Sequence, residues 1–172
     1  FDDMDHSDRA EEIKETVKLA KKSDCLFIHG KPGVGKTSFV ITVGHYLDHD
    51  ETVYWYPMGR RGMHLFFCTL ADDLKFHQYI PEDDYSTYSH TELYNLITLH
   101  LDKLFGLKIK PFLIIDNAQV LKEYENKKWM VKVLSDWKDI RFILTGNQLD
   151  SDIETLSGRH FYQKGLPDLK QP

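Results

Sequence analysis

One short stretch limits the folds open to this chain more than its length or composition does. GKPGVGKTS, from Gly30 to Ser38, satisfies G-x-x-x-x-G-K-[ST] at every position. Such a loop needs a strand that stops abruptly before it and a helix that starts at once after it. Both are legible: CLFIH at 25–29 is a short apolar strand, and KTSFVITVGHYL predicts a helix from about Lys36 to Leu47. Gly30, Gly33 and Gly35 let the backbone curl so that its N–H groups face inward on phosphate oxygens, with Lys31, Pro32 and Val34 completing the turn. The first helical residues, Lys36, Thr37 and Ser38, add the positive end of the helix dipole. In that setting Lys36 reaches the β- and γ-phosphates and the Thr37 hydroxyl ligates magnesium. A plain glycine-rich turn would account for the glycines but not for the Lys-Thr pair.

The remainder alternates short apolar runs with longer amphipathic ones. Ser7 or Asp8 is the expected cap of a first helix, with Ile13, Val17 and Ala20 facing inward. TVYWY at 52–56 predicts a second strand, read as core rather than as a base-stacking platform. Met63, Phe66, Phe67, Leu70 and Leu74 stripe a helix, and the polar stretch from Lys75 to Tyr88, broken by Pro81, predicts a loop. Ser89 and Glu92 form a capping box for a helix whose inner face is Leu93, Ile97, Leu101 and Leu104. FLIID at 112–116 is a third strand, Met130, Val133, Leu134 and Trp137 mark another helix, and IRFIL at 140–144 and HFYQ at 160–163 predict strands four and five. Strands separated by helices argue for an α/β fold: a three-layer α/β/α P-loop NTPase with a central, mainly parallel five-stranded sheet. Residues 1–172 are then one nucleotide-binding domain. Within it, 1–23 form an opening segment and first helix, 24–165 the core, and 166–172 the start of the next segment.

In such sheets ligands bind at the carboxyl ends of the strands. Asp116 ends the third strand and is the expected second magnesium ligand beside Thr37. Many nucleotide hydrolases follow that acid with another; here Asn117 stands in its place. An amide can hydrogen-bond a water but cannot take its proton, so slow hydrolysis is expected. At the end of the fourth strand, Thr145 and Asn147 could touch the γ-phosphate or orient the water, although Gly146-Asn147 is also ordinary turn chemistry. The candidate catalytic set is therefore Lys36, Asp116, Asn117 and Asn147. Arg60-Arg61 read as solvated, and the nine histidines show no metal-ligand spacing.

Composition narrows the classes further. The chain has 172 residues, 41% of them apolar, enough for one substantial core. Its net charge of −5 shows no basic footprint, so nucleic acid is expected to be an unlikely partner. Cys25 and Cys68 make no disulfide framework, which suits a reducing, cytoplasmic compartment. No apolar run approaches the ~20 residues of a membrane span. The first residue is Phe1 rather than Met, and the chain is read as a piece of something longer.

The motifs taken in order resemble those of the NB-ARC branch of STAND ATPases, relatives of the AAA+ class. GKPGVGKTSFVITVGHYL is similar to that family's phosphate loop and helix, and ETVYWYPMGRRGMHLFFCTLADDL to its second strand and following helix. FLIIDNAQVL falls at the Walker B position and RFILTGN at the strand that usually ends Thr-Thr-Arg. FDDMDHSDRAEEI looks like its opening segment without the usual Gly-Arg pair. Asn117 and Asn147 depart from the family, which often carries an acid and an arginine there; Asn147 is closer to the polar sensor of AAA+ ATPases. The resemblance implies ATP or ADP with magnesium, and a switch whose nucleotide state controls self-association or binding of other protein partners through flanking domains, as in apoptotic or immune signalling.

Three other readings compete. IIDNAQ differs at one residue from the IIDEAQ of AAA+ ATPases that assist DNA transactions such as transposition or replication loading. A small-molecule kinase would need arginines in a lid, and the stretch at 75–88 has none. An inert interaction module would have no need of an intact Lys36, Thr37 and Asp116.

Overall fold

Five short strands form the centre of the molecule, joined one to the next by helix-bearing connections. The computed structural model describes residues 3–48, 53–55, 62–105, 110–116 and 118–167. In chain order, α1 (Asp3–Lys22) leads to β1 (Cys25–His29), α2 (Lys36–Leu47) and β2 (Val53–Trp55). Then come α3 (Gly62–Phe76), a 3-10 turn at Tyr85–Thr87, α4 (His90–Leu99), α5 (Leu101–Phe105) and β3 (Phe112–Ile115). A second 3-10 turn at 118–122 leads to α6 (Tyr124–Asp136), β4 (Arg141–Gly146), α7 (Ser151–Ser157) and β5 (Tyr162–Gly165).

All strand pairs are parallel, in the order β2-β3-β4-β1-β5. Alternate side chains of each strand therefore serve opposite faces. Leu26, Ile28, Phe112, Ile114 and Ile143 pack with α1 and α2. Phe27, Leu113, Ile115, Phe142 and Leu144 pack with α3 to α7. The three-layer parallel fold expected from the sequence is what forms.

Several boundaries differ from expectation. α1 begins at Asp3, ahead of Ser7 and Asp8; acidic residues in a first turn favour the positive helix end. The predicted helix from Ser89 keeps its capping box but divides at His100. There the backbone N–H bonds to Ile97 O at 3.0 Å, and the ring Nδ1 contacts Leu96 O at 2.9 Å, diverting carbonyls from the regular ladder. The fifth strand is Tyr162–Gly165 rather than 160–163, because pairing with β1 sets its register, Leu26 against Tyr162. The ladder then runs on, with Leu166 N–H donating to His29 O at 2.7 Å, and Leu166 is buried against the α1–α2 face. α7 has no apolar stripe to announce it; it is capped by Asp150 and ends at Gly158 in the left-handed region.

Candidate functional site

The phosphate loop owes its shape to two backbone demands. At Gly30 a Cβ would lie 2.9 Å from Val34 Cγ1 and 3.0 Å from Leu166 O, so only glycine lets the chain leave β1 this tightly. Gly35 caps α2 at φ +92°, a conformation that side chains resist, and added atoms there would meet open space. The outer rim of the loop is thus unobstructed, while Val34 is buried beneath it and Lys31, Pro32, Thr37 and Ser38 are exposed. Ser38 O accepts from Thr42 Oγ1 at 3.0 Å inside α2.

Lys36 folds back across the loop. Its Nζ donates to Gly30 O at 2.6 Å, Lys31 O at 3.0 Å and Asn147 Oδ1 at 3.2 Å. Partial burial pushes this ammonium below its usual pKa, and the charge of Asp116 pulls it back. Thr37 Oγ1 donates to Asp116 Oδ2 at 2.8 Å, and Thr145 Oγ1 donates to Asp116 Oδ1. Sequence positions far apart therefore converge at the carboxyl ends of β1, β3 and β4, where Lys36, Thr37, Asp116 and Asn147 share one cluster. An open-rimmed loop beside an Asp–Thr oxygen pair fits a phosphate with a hard cation, which prefers oxygen ligands. Thr145 is placed differently from its sequence expectation: it is fully buried and meets Asp116. Asn117 lies outside the described residues, as do Arg60 and Arg61. Among the described residues no group of three or more His, Cys, Asp and Glu could hold a metal.

Sequence reasoning missed Arg9. This buried residue donates through Nη2 to Val34 O at 2.8 Å and to Pro167 O at 3.2 Å, with its guanidinium 5.9 Å from the Phe39 ring. Nothing local marks it, since both partners are distant in sequence. Among the described residues, cavities open on either side of the Lys36–Asn147 pair. One, about 700 Å³, is lined by Glu12, His29, Gly30, Lys31, Leu166 and Pro167 among others. The other, about 520 Å³, lies beyond Asn147 and has an apolar floor that includes Phe27, Leu121 and Ile153. Lys127 braces its edge, 3.1 Å from Asp150 Oδ2 and 3.2 Å from Asp152 Oδ2.

A family model described as "AAA domain" matches residues 19–151, from the end of α1 to the start of α7. The chain belongs to the AAA domain family. Among solved structures, the Aeropyrum pernix ORC1 protein in complex with DNA is 13% identical with a TM-score of 0.69, over 92% of this chain and 45% of that one. Cdc6p from Pyrobaculum aerophilum is 14% identical with a TM-score of 0.61, over 90% and 44%. A chain of Drosophila ORC bound to DNA is 12% identical with a TM-score of 0.59, over 91% and 93%. At such identities the likeness is one of fold. This AAA domain spans less than half the length of the first two. Among curated protein sequences, none matches the chain.

The expectation that nucleic acid is an unlikely partner is corrected by these structures, two of which are DNA complexes on the same fold. A net charge of −5 averages over a whole surface, whereas phosphate contacts are local and can come from other parts of a longer protein. No described helix of the AAA domain is long and apolar enough to cross a membrane.

Proposed function

We propose that the domain binds ATP and ADP with magnesium and serves as the AAA+ nucleotide module of a larger protein engaged in a DNA transaction such as replication loading or transposition. The observation that carries the nucleotide reading is the meeting of Lys36, Thr37, Asp116 and Asn147 at the open rim of the loop. Backbone N–H groups of the loop from Gly33 to Ser38 would cradle the phosphates, with Lys36 exchanging its carbonyl partners for phosphate oxygens. Thr37 and Asp116 would hold magnesium, whose chemistry is to neutralise charge on the phosphates. The larger cavity beside Gly30 and Lys31 is wide enough for a nucleoside. Asn147, hydrogen-bonded to Lys36, would sense the γ-phosphate. The DNA part is supported by the solved structures of like fold that contain DNA.

The test has two readouts on this chain: the nucleotide that co-purifies with it, and anisotropy of labelled duplex and single-stranded DNA with ATP, with ADP and with neither. Adenine nucleotide in the purified protein, and DNA association that changes with nucleotide and weakens with salt, is the expected result. Absence of any nucleotide binding would sink the whole reading.

A second reading, an NB-ARC-like switch controlling self-association, draws on Asn117. An amide in place of a second acid suits a domain that holds its nucleotide, since general-base assistance is worth ~10²–10⁴-fold. Single-turnover hydrolysis separates the two. Asn117→Asp accelerating a slow native rate by about tenfold or more supports the switch, whereas native turnover of several per second removes it.

A further inference from the structure

Burying a hydroxyl costs free energy unless it is hydrogen-bonded. Thr145 is fully buried on β4, and its Oγ1 donates to Asp116 Oδ1. The register of the sheet makes them neighbours. Ile115 on β3 pairs with Leu144 on β4, so the next residues, Asp116 and Thr145, stand side by side. Ile115 and Leu144 face the α3–α7 side, and alternation turns Asp116 and Thr145 to the α2 side, where Thr37 waits.

Asp116 thus has a hydroxyl on each oxygen, Thr37 on Oδ2 at 2.8 Å and Thr145 on Oδ1. Two donors on opposite oxygens stop the carboxylate from rotating about its Cβ–Cγ bond. The donors are not equivalent. Thr37 is exposed at the start of α2, and in the proposed site its oxygen would serve magnesium. Thr145 is shut away from solvent.

We propose that Thr145 is a positioning residue for magnesium. It pins Oδ1 of Asp116 so that Oδ2, shared with Thr37, is the oxygen offered to the cation. This rests on the magnesium–nucleotide reading of the site, and assigns Thr145 to the carboxylate rather than to the γ-phosphate or the attacking water. Hydrogen-bond partners that orient a metal-ligating carboxylate are typically worth ~10–100-fold in metal affinity.

The experiment titrates a fluorescent ADP analogue into the native chain and its variants across magnesium concentrations and in EDTA, with thermal unfolding as the check on folding. Thr145→Val keeps the shape and removes the donor; it should raise the magnesium midpoint about tenfold or more while leaving affinity in EDTA unchanged. Thr145→Ser, which keeps the donor, should return the midpoint to the native value. Thr145→Ala removes the same donor with a smaller side chain and carries the test if Thr145→Val unfolds. A native midpoint in the hydroxyl-less variants, or equal shifts in Thr145→Val and Thr145→Ser, overturns the proposal alone. A native chain whose nucleotide binding ignores magnesium overturns it together with the reading it rests on.

Discussion

The two faces of the sheet are built from different materials. On the α3–α7 side the buried layer is rich in rings: Phe66, Phe67, Tyr94, Phe105, Trp129 and Trp137 all lie within it. Tyr94 stacks on Trp137 with centroids 6.1 Å apart, Phe67 meets Trp129 edge-on at 5.8 Å, and Trp137 Nε1 donates to Thr98 Oγ1 at 3.0 Å. On the α1–α2 side the layer is mostly aliphatic, with Phe39 and Phe112 as its buried aromatics among the described residues. The site stands at the edge of that thinner side, and its ties are polar: Arg9 to Val34, Thr37 to Asp116, Lys36 to Asn147. Stability and ligand chemistry are thereby assigned to opposite faces. A wide apolar layer tolerates no voids, whereas hydrogen bonds at a loop can be exchanged for those of a ligand.

Substitutions can break this division or sharpen it. The largest effect is expected on the aromatic side, where Trp137→Ala should cost about 3–5 kcal/mol of stability in denaturant unfolding. Nucleotide affinity of the folded fraction should not change; a matching loss of affinity would show that the faces are not separate. Arg9→Met keeps the apolar stem but leaves the Val34 and Pro167 carbonyls without their charged donor, at about 1.5–3 kcal/mol. Unlike Trp137→Ala, it should weaken nucleotide binding as well, readable by titrating the same protein with a fluorescent analogue. Lys36→Ala should weaken binding more than tenfold, about 1.4 kcal/mol or more, with little change in the unfolding midpoint. Equal affinities would remove Lys36 from the site. The smallest effect has the opposite sign. Just past the end of α3, Gln78 lies at φ +62°, its N–H bonded to Lys75 O and that of Tyr79 to Leu74 O, each at 2.9 Å. Glycine is the usual residue at that position, so Gln78→Gly should stabilise by about 0.5–1 kcal/mol without touching the site.

Legibility in the sequence followed the same division between local and distant causes. The run from Cys25 to Leu47 could be read almost residue by residue, because loop, lysine and following helix impose their demands on adjacent positions. Asp116 and Asn147 could be nominated, but their convergence depends on β4 lying between β3 and β1, and strand order has no local signature. Arg9 was invisible for the same reason. β5 was misplaced by two residues because Tyr162 and Gln163 are exposed on a strand whose position is set by its neighbour rather than by its own pattern. The DNA-containing structures of like fold show the limit of composition: net charge says little about what a domain does inside a longer chain.

Arg9 links two distant stretches of backbone. Its guanidinium is a yoke with two loads, the carbonyl of Val34 in the phosphate loop and that of Pro167 where the chain leaves the sheet. Both carbonyls accept from the same nitrogen, Nη2. Leu166, hydrogen-bonded to His29 at the end of β1, is the fulcrum immediately before it. Arg9 thus joins the backbone at Pro167 directly to Val34, buried beneath the rim of the phosphate loop, bypassing the intervening sequence altogether.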